Sequence, residues 1–369
     1  MLLPKPPSCE GCPAYGNGKG FVPDVMREGT EIVVYGQGPG EDEENGRRYL
    51  GKDEYGQKRY EPCPHQPFTG ITGRTMERGY FPLAGLTLEE CSFGNTLRCR
   101  WTNANGEKTN ELPELDTKAL KQAIAHCTRE HYRPPSTAKI FVAQGEYAFY
   151  ALTGVDGDFH GWRGYLHHYS PLGESRQPYL GVWTPRADEP RVLATYHIAY
   201  TFREPDAKFP TRRDWNKLSW IISGKWPEPF PTVRTTPPDL WPEVSAFDTE
   251  FERREGWRKG DTPRLVRYSL ATRDRTVWVI ERSDVGQIPI TPGSTIIMHN
   301  CPVDIPYFVD ICPIPMRDLI IEDTMYAHAV LWTGKVETDT QKGRVGGATS
   351  HTLNYLGSIY ARFNRWKHL

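Results

Sequence analysis

Glu31-Ile-Val-Val-Tyr-Gly-Gln-Gly-Pro-Gly40 decides the architecture of the N-terminal part of the chain. An apolar run with no polar alternation reads as a strand buried on both faces, and the glycine turn stops it. Two later segments repeat the pattern. Lys139-Ile-Phe-Val-Ala143 runs through Gly145 into a helix reaching Leu152, and Arg191-Val-Leu-Ala-Thr-Tyr196 ends on His197. Helical spacing covers Leu115–His131 and Arg212–Ile222. Short buried strands alternating with helices predict an α/β fold on an open parallel sheet, with reactive side chains at strand C-termini.

The chain has 369 residues, which favours two domains. A break is visible at residues 225–243, where six prolines exclude a regular helix or a central strand. The expected division is therefore residues 1–224, a proline-rich linker over 225–243, and a second α/β domain over 244–369. In that domain Val244–Phe247 reads as a strand leading to Asp248 and Glu250. Arg264–Thr272 and Thr276–Glu281 form a hairpin, Thr295–Met298 another strand, and a helix opens at Asp323. The net charge of −1 excludes a polycationic coat or an acidic tail but leaves room for a local basic face. No apolar run approaches the ~18–20 residues of a membrane span. The opening Met1-Leu-Leu-Pro-Lys-Pro-Pro lacks the core of a signal peptide, and eight cysteines are too sparse for a disulfide framework. A reduced, cytoplasmic setting is expected.

Cys9 and Cys12 form C-x-x-C, with Cys99 and Cys127 further on. Two thiolates on one turn reach one metal or cluster, and two more complete four-fold ligation, so an iron–sulfur cluster and a structural zinc both fit. Cys63 is a rival ligand, whereas Cys91, Cys301 and Cys312 read as small buried hydrophobes. The turn Gly36-Gln-Gly-Pro-Gly40 precedes four acids, Glu41–Glu44, which do not suit a phosphate loop. It suits a turn that positions water or a flat ligand. Phe68 in Pro67-Phe-Thr-Gly70, Asn95 at one strand end and His197 at another supply a stacking ring, an edge reader and a group to face an anion. Together they suit a nucleobase pocket.

In this order the motifs of residues 1–223 resemble the iron–sulfur uracil-DNA glycosylases of families 4 and 5. The matching series is Cys9-x-x-Cys12, Gly36-Gln-Gly-Pro-Gly40, Pro67-Phe68-Thr-Gly70, Asn95-Thr-Leu-Arg-Cys99, Cys127, Ile140-Phe-Val-Ala-Gln-Gly145, Tyr196-His197 and Asp214-Trp215. The resemblance implies hydrolysis of the N-glycosidic bond of deoxyuridine, with uracil-containing DNA as partner. It implies a [4Fe–4S] cluster on Cys9, Cys12, Cys99 and Cys127, and a substrate-binding turn of Gly36, Gly38, Pro39 and Gly40. It further implies a flipped uracil stacked on Phe68 and read by Asn95, with His197 stabilising charge on the departing base. The chain departs from the pattern at Gln37, where the family carries Glu. Gln37 is expected to hold the attacking water by hydrogen bonds, backed by Glu41 or Asp42. Ile198 replaces the usual Pro, and Arg47–Gln66 is an insertion. Arg98, Arg100, Arg203, Lys208, Arg212 and Arg213 are candidate phosphate contacts, and Trp101 a candidate base-stacking ring.

Asp248-Thr-Glu250 puts two carboxylates on one face of a strand, a spacing that suits divalent metals. With Asn300-x-x-x-Asp304 and Asp323-Thr-Met, residues 244–369 resemble the DEDD 3′–5′ exonuclease domain of A-family DNA polymerases, which has a ribonuclease-H-like fold. Leu353–Lys367 resembles the helical region before that family's third motif. The resemblance implies Mg²⁺ or Mn²⁺ held by Asp248, Glu250 and Asp304. The third motif is absent, since Tyr360 is followed four residues later by Asn364. Weak or no exonuclease activity is expected, with a polymerase portion or partner supplying the rest. The competing expectations are a uracil-reading DNA-binding module without chemistry, and an exonuclease for which the first domain is a clamp.

Overall fold

The computed structural model describes residues 2–16, 18–101, 117–157, 159–172, 189–225, 232–252, 264–274, 276–281, 288–299, 301–324 and 327. They fall into two compact units, one ending at Lys225 and the other beginning at Thr232. No helix among them is long and apolar enough to cross a membrane.

After a short N-terminal turn and a two-residue strand, the first unit's main sheet begins with β1 (Ile32–Gly36) and a short helix α1 (Glu41–Glu44), followed by a hairpin of β2 (Arg47–Lys52) and β3 (Lys58–Pro62). Then come α2 (Ile71–Gly79), β4 (Cys91–Asn95), α3 (Thr117–His131), β5 (Ile140–Gln144) and α4 (Glu146–Thr153). Strands β6 (Leu166–His168) and β7 (Arg191–Thr195) and helix α5 (Lys208–Ile222) complete it. The sheet order is β4-β1-β5-β7-β6. Its first four strands are parallel and β6 is an antiparallel edge, so the sheet is mixed where a parallel one was expected. Every residue of β1, β4 and β5 is buried, because helices cover both faces. Val33 and Tyr35 of β1 pack with Leu120, Ile124 and Phe149 from α3 and α4. Ile32 and Val34 point the other way, into a core with Met76 of α2 and Trp215 and Leu218 of α5. Helix α5 begins four residues ahead of the expected Arg212. Pro210 falls in its first turn, where a missing N–H costs nothing.

The sheet register brings the strand ends level. Gly36 lies opposite Asn95, and Gln144 opposite Thr195. The chain leaves β1 for β4 on one side and leaves β5 for β7 on the other. Neighbours β1 and β5 thus flank a topological switch point, where open α/β sheets bind ligands beyond the strand C-termini. The insertion over Arg47–Gln66 folds as the β2–β3 hairpin, and the Tyr49 N–H donates to the Thr69 carbonyl at 2.9 Å.

The second unit is a six-stranded mixed sheet. Its elements are β8 (Thr232–Arg234), β9 (Val244–Glu252), β10 (Arg264–Ala271), β11 (Thr276–Glu281), β12 (Thr295–Met298), α6 (Cys301–Ile311) and β13 (Ile320–Asp323). They pair in the order β8-β11-β10-β9-β12-β13. The stretch read as linker contributes more than a tether. Its proline-free triplet Thr232–Arg234 pairs at the sheet edge, and Trp241 is buried with its indole N–H donating to Ser245 Oγ at 2.8 Å. Asp323 closes β13 and the helix expected there begins one residue on, at Thr324; the Asp323 carboxylate accepts the Cys301 N–H at 2.8 Å.

Leu218 is fully buried between α5 and the sheet. Leu218→Ala is expected to cost about 2–5 kcal/mol, read as a lowered midpoint in urea unfolding.

Candidate active site

At the level strand ends, Gly36 is glycine because there is no room for more. A methyl group there would stand 2.5 Å from Asn95 Oδ1 and 3.0 Å from Phe68 Cζ. The Asn95 amide and the Phe68 ring thus close over the β1 end. Phe68 adopts φ +60°, the one positive φ outside glycine among the described residues. That conformation costs about 1–2 kcal/mol and persists only where its surroundings impose it. Here the Phe68 N–H donates to Glu43 Oε1 at 2.5 Å. Beneath it, Gly73 leaves room for the loop, since a methyl group there would lie 1.6 Å from the Phe68 carbonyl oxygen.

Glu43 is the residue that sequence reasoning missed. Its Oε2 accepts the Gly40 N–H at 3.1 Å and the Asn95 Nδ2 at 3.4 Å. Burial pushes its carboxyl up to about 7, against the opposing pull of these donors. Glu41 and Asp42 were the acids expected to serve Gln37, yet both face Arg47. Glu41 is exposed, 3.4 Å from Arg47 and 3.8 Å from Arg100. Asp42 meets Arg47 Nε at 2.6 Å. On a single helical turn only one of the acids can point back to the strand ends. The position of Glu43, third in α1 and three after Gly40, is the capping-box position that could have singled it out.

Gln37 and Gly38 are half-buried and Pro39 is buried in the turn. Gln37 lies across the switch point, with its Nε2 2.6 Å from where a Gly145 Cβ would stand. Gly145, at φ +91°, begins α4 there. His197 is half-buried two residues past β7, and burial pushes its imidazole down to about 4. It is neutral at pH 7. Its Nδ1 accepts the Ala199 N–H at 3.2 Å, which assigns the remaining proton to Nε2. Buried Gln144 steadies this loop by accepting the Ile198 N–H at 3.4 Å, a bond that the usual proline could not donate.

Cys9, Cys12, Cys99 and Cys127 all line one cavity, together with Arg98 and His131. Burial, and after it repulsion from neighbouring thiols, raises Cys9 to about 11; burial and Cys127 likewise raise Cys99 to about 12. His131 Nε2 lies 3.3 Å from Cys9 Sγ, and Arg98 Nη1 donates to Cys127 Sγ at 3.5 Å. Among the described residues no three His, Cys, Asp or Glu side chains close on a single ion. The rival ligand Cys63 lies outside this cavity.

Two expected phosphate contacts are corrected. Arg98 and Arg100 are 2% and 4% exposed and paired with Asp24 and Glu44, so neither reaches a DNA backbone. Arg203, Lys208 and Arg212 are exposed on the segment after His197, and Arg213 is half-buried over Trp220. The Trp101 side chain lies outside the described residues.

In the second unit, Ser245, Phe247 and Thr249 of β9 are buried, whereas Ala246 and Asp248 are exposed. Asp304, buried at the start of α6, accepts a hydrogen bond from the Thr249 hydroxyl. Asp304 is thus held from the buried face of β9, while Asp248 is exposed. Asn300, the Glu250 side chain and Leu353–Lys367 lie outside the described residues.

No protein-family model matches the chain. It is 21% identical over 225 residues to a type-4 uracil-DNA glycosylase of Archaeoglobus fulgidus, covering 60% of this chain and 92% of that one. It is 21% identical over 224 residues to a type-4 uracil-DNA glycosylase of Saccharolobus solfataricus, covering 59% and 83%. The similarity is distant and spans most of each relative's length.

Glu43 links stability to pH. Its folded pKa lies above its unfolded value of 4.5, so this contribution is complete below the unfolded value and is lost as pH rises through about 7. Between pH 5 and 8, urea unfolding is expected to show the parent losing up to about 3 kcal/mol relative to Glu43→Gln. An unchanged difference across that range would remove the assignment.

Proposed function

We propose that the first unit is a uracil-DNA glycosylase, hydrolysing the N-glycosidic bond of deoxyuridine in DNA. The observation that carries this reading is the convergence of Phe68, Asn95 and Glu43 over Gly36. A strained aromatic, an oriented amide and a buried carboxylate meet where the backbone has been cleared of side chains. The distant similarity to two type-4 uracil-DNA glycosylases supports it.

The chemistry follows from the orientation of Asn95. Its Nδ2 donates one hydrogen to Glu43, which turns Oδ1 toward Gly36. Oδ1 then accepts the uracil N3–H, and the second Nδ2 hydrogen donates to O4. Cytosine presents an acceptor and a donor at those positions and mismatches both. The base stacks on Phe68. His197, neutral, donates its Nε2–H to the oxygen that gains negative charge as the glycosidic bond breaks. Gln37 holds the water but cannot take its proton, so departure of the stabilised uracil anion leads, and the proton the water loses on bonding to C1′ passes to that anion or to solvent. Arg203, Lys208 and Arg212 are the phosphate contacts.

Cys9, Cys12, Cys99 and Cys127 would hold a [4Fe–4S] cluster. Thiols pushed up by burial and mutual repulsion need a cationic core to ionise, and thiols spread around a cavity suit a cluster better than one tetrahedral zinc. The group supplies a cross-link among the N-terminal segment, the loop after β4 and α3.

For the second unit we propose a ribonuclease-H-like sheet that lacks exonuclease activity in this chain. The order β11-β10-β9-β12-β13, with Asp248 on the central strand, supports the fold. The missing third motif, with Asn364 where an Asp is needed, argues against a complete site for Mg²⁺ or Mn²⁺.

Uracil-containing oligonucleotide is expected to become alkali-cleavable at the uracil on incubation with the protein, and His197→Ala to slow this by about 10²–10³. No cleavage by the parent defeats the reading; tight uracil-specific binding without cleavage would establish a reader instead. Under Mg²⁺ or Mn²⁺, a labelled 3′ end is expected to stay intact. Nucleotide loss abolished by Asp248→Ala would overturn the reading of the second unit.

A further inference from the structure

Asp24 is a buried carboxylate that the proposed chemistry does not use, yet it touches both halves of the first unit's machinery. Its Oδ1 accepts the backbone N–H of Asn95 at 3.3 Å, and its Oδ2 accepts Arg98 Nη2 at 2.5 Å. Arg98 carries the contact onward, donating from Nη1 to the Cys127 carbonyl at 3.3 Å and to Cys127 Sγ at 3.5 Å. Tyr35 holds the same guanidinium through its hydroxyl at 3.0 Å. Arg98 also immediately precedes Cys99 in the chain.

The fold makes room for this arrangement. Val25, next to Asp24, exchanges two backbone hydrogen bonds with Phe93 of β4, each 2.8 Å. Between Phe93 and Asn95 stands Gly94, where a methyl group would fall 2.4 Å from the Tyr35 ring and 3.0 Å from Asp24 Cγ. Any larger residue would push the carboxylate off the strand end. The pair is sealed from water, with side chains 2% and 7% exposed. A buried ion pair gains little net stability over an apolar filling, but losing one partner is costly. Chains of hydrogen bonds and ion pairs of this kind are what carries energetic coupling between sites.

We propose that the Asp24–Arg98 pair is a positioning strut that couples the four-cysteine centre to the base-reading Asn95, so that occupation of either site strengthens the other. This rests on the proposed cluster and glycosylase reading. Cys127 Sγ accepts from the guanidinium, the guanidinium holds Asp24, and Asp24 fixes the end of β4 from which the Asn95 side chain projects. Coupling between binding sites is reciprocal. DNA that engages Asn95 must therefore protect the centre from loss.

The test measures iron release from the full chain to a ferrous-iron chelator, followed as loss of visible absorbance. It is run with an oligonucleotide carrying a non-hydrolysable deoxyuridine analogue and with one carrying deoxycytidine. The parent is expected to release iron at least about five-fold more slowly with the uracil analogue. Asp24→Asn is expected to abolish that difference. Because it leaves Arg98 buried without its partner, the doubly neutral Asp24→Asn/Arg98→Met is run beside it and should also show equal rates. A strut that served stability alone would change both rates together and leave their ratio intact. A brown parent that excises uracil but releases iron equally with both oligonucleotides overturns the inference alone, as does protection that survives in the neutral pair. A colourless parent overturns it together with the cluster, and a parent that leaves uracil in place overturns it with the glycosylase reading.

Discussion

One carboxylate organises the candidate site. Glu43 accepts hydrogen bonds from Gly40, Phe68 and Asn95, which belong to the turn after β1, the loop before α2 and the end of β4. Each bond does something different. The first closes the turn, the second holds Phe68 in a conformation it would otherwise leave, and the third orients the Asn95 amide. Burying a carboxylate is unfavourable unless donors surround it. The three donors and the acid therefore stabilise one another, and the pocket follows from that mutual requirement.

Around this hub the fold supplies rigidity. Strands β1, β4 and β5 are buried on both faces, and their register brings Gly36, Asn95 and Gln144 to one edge. Loops that leave such an edge are short of freedom because the strands beneath them cannot shift. The Asp24–Arg98 pair and the Gln144–Ile198 bond then fix two of the loops from below. The same economy explains the arginines. Arg98 and Arg100 stand beside the site in sequence, but their guanidinium groups are consumed by buried carboxylates.

Much of the first unit was legible from residue order. The strands announced themselves as unbroken apolar runs. Phe68 and Asn95 come together at the β1 end, and the four cysteines line one cavity. Three features were not legible. The Arg47–Gln66 hairpin has exposed strands whose pattern carries no core signal. Which of four consecutive acids turns to the strand ends and which to Arg100 depends on the pitch of a single helical turn. That Asp304 is buried against β9 depends on how α6 packs on that strand, a contact made through Thr249.

Sequence alone determined the alternation of strands and helices, the glycine turn and the set of chemical groups available at strand ends. These are properties of local runs, where hydrophobic period and backbone freedom act over a few residues. Tertiary structure decided which groups converge and which are buried: Glu43 over Glu41 and Asp42 at the strand ends, and Arg98 and Arg100 against buried carboxylates. Convergence depends on register, pitch and burial, which bring together residues as distant as Asp24 and Arg98 and which no single stretch of chain encodes.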